Sequence, residues 1–303
     1  MKQFLGLTRR NLLVYFKDVQ AVLFSMLTSI IVFVLFVLFL RQTYADSIAE
    51  QAKALGDLVK QQDIDMFTYG LLLSGLMGSS VITVSYHTLT TVVHDREKRI
   101  DYDIAATPIR RWQIVLSYFT ASVVSAILMT CFVLTAGLIF VSAKGSLYLT
   151  AGDVARLYGL TVLAALSAAA LFMPFVLLFK STSASGAFFG ILSAASGFVI
   201  GAFMPISQFS KAVQSFCGVF PGTGVTALYR TTLLQRLLDR MDAGIGGVDG
   251  GSFVKGIEEA FFSRVCLFGK TLTDGQTLLY IVVLIAVCLV LIAVLFPKLY
   301  RRK

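Results

Sequence analysis

The sequence predicts an all-α integral membrane protein with six transmembrane helices, and three observations carry that prediction. First, 57% of the 303 residues are hydrophobic, only 14% are charged, and the mean hydropathy is +0.81. A soluble domain of this length has too little interior to hide so much apolar surface. Second, the apolar residues gather in runs close to the ~20 residues that a helix needs to cross ~30 Å of hydrocarbon. The runs are 22–40, 67–89, 114–141, 157–179, 186–204 and 278–296. Lipid offers no partner to exposed backbone polar groups, so each run is expected to be helical. Third, the cations cluster between the runs rather than along one face.

That third observation decides how to read the formal net charge of +9. Nucleic acid is a poor partner for cations scattered at span ends, and the positive-inside rule accounts for them. Lys2, Arg9, Arg10 and Lys17 precede span one, and Arg96, Lys98, Arg99, Arg110 and Arg111 lie between spans two and three. Lys180 follows span four, and Lys298, Arg301, Arg302 and Lys303 close the chain. Six spans put all these clusters on one side, expected to be cytoplasmic, with both termini there. The loop after span one carries Asp46, Glu50, Asp57, Asp63 and Asp65 against Arg41, Lys53 and Lys60, which suits the opposite side. The long loop after span five is largely exempt from the rule. Span one is read as a retained helix. Its apolar run exceeds a signal-peptide core, and Thr43-Tyr44-Ala45 is a poor cleavage site.

Residues 1–18 form an amphipathic segment. Phe4, Leu5, Leu7, Leu12, Tyr15 and Phe16 share one helical face, and Lys2, Arg9, Arg10 and Lys17 share the other. An interfacial helix on anionic lipid fits this pattern. A basic flank without structure is the alternative. Span two places Gly70, Ser74 and Gly78 four residues apart. Span five does so with Gly186 and Gly190, and with Ser193, Gly197 and Gly201. Small residues at this spacing let helices approach closely in lipid, either as a packing seam or along a conduit. Span four is rich in alanine (Ala164, Ala165, Ala168, Ala169, Ala170) and then holds Pro174, which frees a carbonyl and is expected to kink the helix.

Segment 205–277 lies in the outer loop. Phe216 to Phe220 is apolar and leads into Pro221-Gly222-Thr223-Gly224, a turn signal. Val225 to Met241 is helical in period, with Leu228, Leu234, Leu237 and Leu238 opposing Arg230, Arg236 and Arg240. After the glycine-rich stretch Gly244 to Gly251, Phe253, Ile257, Phe261 and Val265 repeat the pattern. The expectation is two short helices on or in the outer leaflet, which either cap an exit path or form an inert lobe. Cys131 and Cys288 sit in spans as ordinary apolar residues. Cys217 and Cys266 share the outer loop, where either a disulfide or two half-buried thiols is expected.

The densest charge lies in 94–111, between spans two and three. It reads His94-Asp95-Arg96-Glu97-Lys98-Arg99-Ile100-Asp101-Tyr102-Asp103-Ile104, then Ala105-Ala106-Thr107-Pro108-Ile109-Arg110-Arg111. A short helix bearing charges of both signs, with Ile100, Tyr102 and Ile104 among them, suits a partner-docking surface. On charge alone, a solvated loop that fixes topology fits as well.

No chemistry of its own is legible in the chain. Gly269-Lys270-Thr271 imitates the end of a phosphate-binding loop, but Arg264 stands where its first glycine belongs. His87 and His94 lack further ligands of metal type nearby. Span interiors show no firm ionisable residue, which weakens a proton-coupled or ion-coupled transporter.

Taken together, the chain resembles the membrane-spanning permease of an ABC-2 type exporter. Glu97-Lys98 and Thr107-Pro108-Ile109-Arg110-Arg111 resemble the family's inner turn, although Arg99-Ile100 stands where many members have Gly-Thr. Phe220-Pro221-Gly222-Thr223 with Leu228-Tyr229-Arg230 resembles the outer hairpin of some drug-export permeases. The resemblance implies a bacterial inner-membrane protein that is not an enzyme and binds no cofactor. ATP and its magnesium would belong to a separate cytoplasmic ATPase. It also implies a second permease copy, by default identical, and a hydrophobic or amphipathic cargo such as a drug, antibiotic or lipophilic peptide. The ATPase would dock on Glu97, Lys98, Arg99, Ile100, Asp101, Tyr102, Asp103, Thr107, Pro108 and Arg110. The path would run between spans two and five, past Gly70, Ser74, Gly78, Gly190, Ser193 and Gly197. The rival readings are a self-contained channel or transporter, a membrane enzyme, and a non-transporting partner of an ATPase in a sensing or assembly complex.

Overall fold

The computed structural model describes residues 2–53, 58–262, 265–267 and 270–299. Asp57, Arg264, Gly269, Arg301, Arg302 and Lys303 lie outside the described residues. The chain begins with α1 (Lys2–Lys17) and continues into one helical rod. That rod is α2 (Val19–Leu35), a single π turn (Phe36–Leu40) and α3 (Arg41–Ala52). At 34 residues it runs about 50 Å, well past the hydrocarbon core. Span one therefore continues through α3 instead of ending at residue 40. Tyr44, Ala45, Ile48 and Ala52 of α3 are buried, and their spacing keeps the rod helical beyond lipid.

Next come α4 (Gln61–Glu97), α5 (Ile100–Ala106), α6 (Arg111–Lys144), α7 (Ala151–Leu178) and α8 (Thr182–Val199). After a short 3-10 turn follow α9 (Lys211–Val219), α10 (Pro221–Ile245) and α11 (Ser252–Phe261). A two-residue antiparallel pairing of β1 (Cys266–Leu267) with β2 (Lys270–Thr271) leads into α12 (Asp274–Leu299). Six helices are long and apolar enough to cross a membrane: 19–52, 61–97, 111–144, 151–178, 182–199 and 274–294. They coincide with the six expected runs. Span five ends at Val199 rather than 204, because Gly201 at φ +71° turns the chain away. Pro174 is accommodated in the penultimate turn of α7, which ends at Leu178.

α4 is the axis of the bundle. Its most apolar window is 94% buried inside the chain, against 28% for the α2 rod, 28% for α6 and 22% for α12, which face outward. Apolar burial gives little drive between helices in lipid, so small residues and hydroxyl contacts hold α4 to its neighbours. Ser79 meets Ser29 of α2 at 3.1 Å. The Tyr86 hydroxyl meets the Ser185 hydroxyl of α8 at 2.9 Å, and Ser122 of α6 donates to the Ser85 carbonyl at 2.9 Å.

The largest departure from expectation is α10. It is not a short surface helix but a 25-residue helix sunk antiparallel against α4. Gly222 faces Ile82, Thr226 faces Gly78, Arg230 meets Ser74 and Leu234 fills the space over Gly70. Each pair lies one four-residue step from the next. Pro221 opens the helix deep in the bundle, where its missing N–H costs nothing. Cys217 and Cys266 are free thiols, the second of the two alternatives left open, and the Cys266 backbone lies against Gly218.

Candidate functional site

The last turn of α4 gathers four other helices, the middle of α1, the second turn of α6, the end of α7 and the start of α8. Asp95, Arg96 and Glu97 are consecutive, so helical geometry points them about 100° apart, and each finds a different neighbour. Asp95 is fully buried. It accepts from both guanidinium nitrogens of Arg10 in α1, with Nη2 to Oδ1 at 2.8 Å, and from the Tyr118 hydroxyl of α6 at 2.5 Å. The hydrogen bond to Asp95 raises the Arg10 pKa above its ordinary value, against the opposing effect of burial.

Arg96 and Glu97 complement two helix ends of opposite polarity. Arg96 donates from Nη1 to the carbonyls of Leu177 at 2.8 Å and Phe179 at 3.0 Å, where α7 ends with unsatisfied acceptors and a partial negative charge. The Glu97 carboxylate accepts from the Thr182 N–H at 3.0 Å and from its hydroxyl, where α8 begins with free donors and a partial positive charge. One turn of α4 thus holds α1, α6, α7 and α8 together.

α1 docks by a polar stripe. Thr8, Asn11 and Tyr15 are its buried residues; Asn11 donates to Ser117 at 3.2 Å, and the Tyr15 hydroxyl lies 2.7 Å from that of Ser25. Leu5, Leu13, Val14 and Phe16 remain exposed. The face assignments for Arg10 and Tyr15 are therefore corrected, since both turn toward the bundle.

Beyond Glu97 the helix breaks. Arg99 adopts φ 60°, a left-handed conformation, and α5 runs for seven residues. Thr107 is extended, as a residue before proline must be, and this ends α5. Tyr102 is 69% exposed, and Lys98, Arg99, Asp103, Thr107, Pro108 and Arg110 are exposed with it. Ile104 instead packs onto the core, and Ile100 and Asp101 are half-buried. Burial pushes the Asp101 carboxyl above the usual carboxylate range. Glu97 is exposed but occupied by Thr182. The outward surface is thus narrower than expected, with Tyr102 and Asp103 at its centre.

The expected path residues divide. Gly70, Ser74 and Gly78 are covered by α10, Gly197 by the ring of Phe203, and Ser193 by the Thr28 hydroxyl. Gly190 alone of the six faces outward, with nothing within 4 Å of where its Cβ would stand. An open apolar groove of about 310 Å³ lies between α2, α4 and α6, lined by Ile30, Phe33, Leu72, Leu76, Phe132 and Phe140 among others.

Sequence reasoning missed Arg230. Its side chain is buried, donating from Nε to Ser74 Oγ at 3.3 Å, from Nη1 to the Phe261 carbonyl at 3.2 Å, and from Nη2 to the Gly201 carbonyl. Arg236 and Arg240 behave as the helical wheel implies, pairing with Asp153 and stacking 4.0 Å over the Tyr148 ring. The signal for Arg230 was its four-residue offset from Thr226 and Leu234, which matches the small stripe of α4. Among the described residues, no three His, Cys, Asp or Glu side chains are grouped to hold a metal ion.

Residues 44–296, more than four fifths of the chain, match the family described as ABC-2 family transporter protein. No curated protein and no solved structure matches the chain. Members of this family are non-catalytic permease subunits, consistent with a bundle whose charges brace helix ends. A six-helix architecture and a match that spans the last five of those six helices in full and the C-terminal end of the first assign the chain to the ABC-2 family of transporter permeases.

Proposed function

We propose that this permease moves a hydrophobic or amphipathic cargo out of a bacterial cytoplasm or inner leaflet, driven by a separate cytoplasmic ATPase that docks on α5. A second copy of the chain completes the path. Both termini, α1 and α5 lie on the cytoplasmic side in this reading. The observation that carries it is the turn Asp95-Arg96-Glu97. It joins the exposed α5 to α1, α6, α7 and α8 through ion pairs and helix-end contacts. A push on α5 is delivered to four helices at once, which is what a driven permease needs from a separate motor. Tyr102 supplies an exposed aromatic anchor, and Lys98, Arg99, Asp103 and Arg110 supply a polar rim of mixed sign. The groove between α2, α4 and α6 is apolar, which favours lipophilic cargo.

The test is co-purification with a candidate ATPase, comparing wild type with Tyr102→Arg plus Asp103→Arg. Retention by wild type and loss by the double variant supports docking on α5. Absence of any ATPase from the wild type removes the motor-driven reading. Equal retention moves the docking surface elsewhere.

A further inference from the structure

Between the first turns of α6 and the last turns of α12 lies an open groove of about 460 Å³. Val115, Leu116 and Phe119 form one wall, and Leu289, Ile292 and Ala293 form the other. Arg111 and Trp112 stand at one end. From Arg111 to Phe119 the groove follows α6 for about 12 Å into the bundle. The surface is strongly amphipathic along its length. The walls offer only hydrocarbon, while the mouth offers the Arg111 side chain, an indole that is 55% exposed, and the positive end of α6.

We propose that this groove is a binding site for one anionic phospholipid, with its phosphate at Arg111 and an acyl chain along Val115, Leu116, Phe119 and Ile292. Charge complementarity selects this occupant. Arginine presents its donors in a planar fork that suits phosphate oxygens. An indole with one polar edge sits stably at the boundary between headgroup and chain. A zwitterionic lipid brings its own cation to the same mouth and loses the advantage. A neutral cargo fills the walls without using Arg111. The inference stands apart from the export reading, since it needs only that α6 and α12 cross a bilayer.

Trp112 is the single tryptophan of the chain, so its fluorescence reports this groove alone. The whole protein is reconstituted in phosphatidylcholine containing increasing fractions of either dibrominated phosphatidylglycerol or dibrominated phosphatidylcholine, whose bromines quench tryptophan on contact. The expected result is an apparent association about fivefold stronger for the anionic lipid, the size of one basic residue at an anionic surface. Arg111→Gln is expected to bring the two lipids to equality. Ala293→Phe, which narrows the groove and keeps Arg111, is expected to weaken quenching by the anionic lipid as an independent check. Equal quenching by both lipids in the wild type overturns the proposal. So does a preference that survives both variants, which assigns it to general surface charge. Displacement of the brominated anionic lipid by a neutral hydrophobe at equal mole fraction also overturns it.

Discussion

Asp95 and Arg10, 85 positions apart in the chain, form a two-pronged ion pair in which the carboxylate is buried and the arginine side chain as a whole keeps 32% of its surface. Breaking a buried pair on one side costs about 3–5 kcal/mol, because the remaining charge is stranded. Partial exposure of Arg10 puts Arg10→Gln toward a lower value, about 2–3 kcal/mol. Arg10→Gln combined with Asp95→Asn is expected to lose less than the two single changes added together. Thermal unfolding of the three variants in detergent checks this, and strict additivity would show that the pair does not act as a unit.

Arg96 and Glu97 are expected to matter for coupling more than for assembly. Arg96→Ala abandons the carbonyls that end α7, and Glu97→Gln weakens the brace at the start of α8. Neither residue belongs to the outward centre of α5. On the proposed docking of an ATPase to α5, each variant should still co-purify with that ATPase, while cargo-stimulated ATP hydrolysis falls roughly tenfold, within the usual 1–3 kcal/mol of coupling between sites. Unchanged stimulation would locate the transmission elsewhere.

The contact between Gly78 and Thr226 can be tested by exchange. A side chain at Gly78 would collide with the Thr226 hydroxyl. Gly78→Ala is expected to destabilise by about 1–3 kcal/mol through overpacking. Adding Thr226→Ala should restore most of that loss, as read from melting temperature. If the second change gives no recovery, α10 is not seated on this glycine.

Asp101 gives a prediction with a pH sign. Burial raises its folded pKa above the unfolded value, so the folded state binds the proton more tightly. Its contribution to stability is fully present below the unfolded pKa and lost as pH rises through the folded one. Asp101→Asn should therefore melt higher than wild type near neutrality. The gap should close as pH falls through the ordinary carboxylate range. A gap independent of pH would rule out ionisation as its cause.

Much of the architecture was legible because lipid enforces it. The runs at 67–89 and 114–141 lie wholly within α4 and α6, since apolar length and the backbone's need for internal hydrogen bonds leave few alternatives. Less was legible where polar residues face inward. Arg10, Asp95 and Arg230 read as surface charges from their own neighbours in sequence, and only contacts across long separations, Arg10 to Asp95 or Arg230 to Gly201, explain their burial. The Gly70-Ser74-Gly78 stripe was visible, but its partner was not, because periodicity marks a face without naming what covers it. The short charged helix expected within 94–111 ends before Pro108, but its first four positions belong to the last turn of α4 and α5 itself covers only 100–106. Which of its side chains point outward depended on the break at Arg99.

The pairing of α4 with α10 repeats every four residues, about 6 Å along the axis. Small positions on one helix receive larger ones on the other, so sliding by half a step drives Thr226 and Leu234 onto the rims of their sockets. Relative motion of these two helices is consequently indexed, as in a gear with detents, rather than continuous. The index also carries a mark. In the present tooth Arg230 meets a hydroxyl at Ser74, whereas one tooth in either direction sets it opposite a glycine, Gly70 or Gly78. A shift of one tooth would trade that hydrogen bond for open space beside a cation, so the helix pair carries its own record of which position is rest.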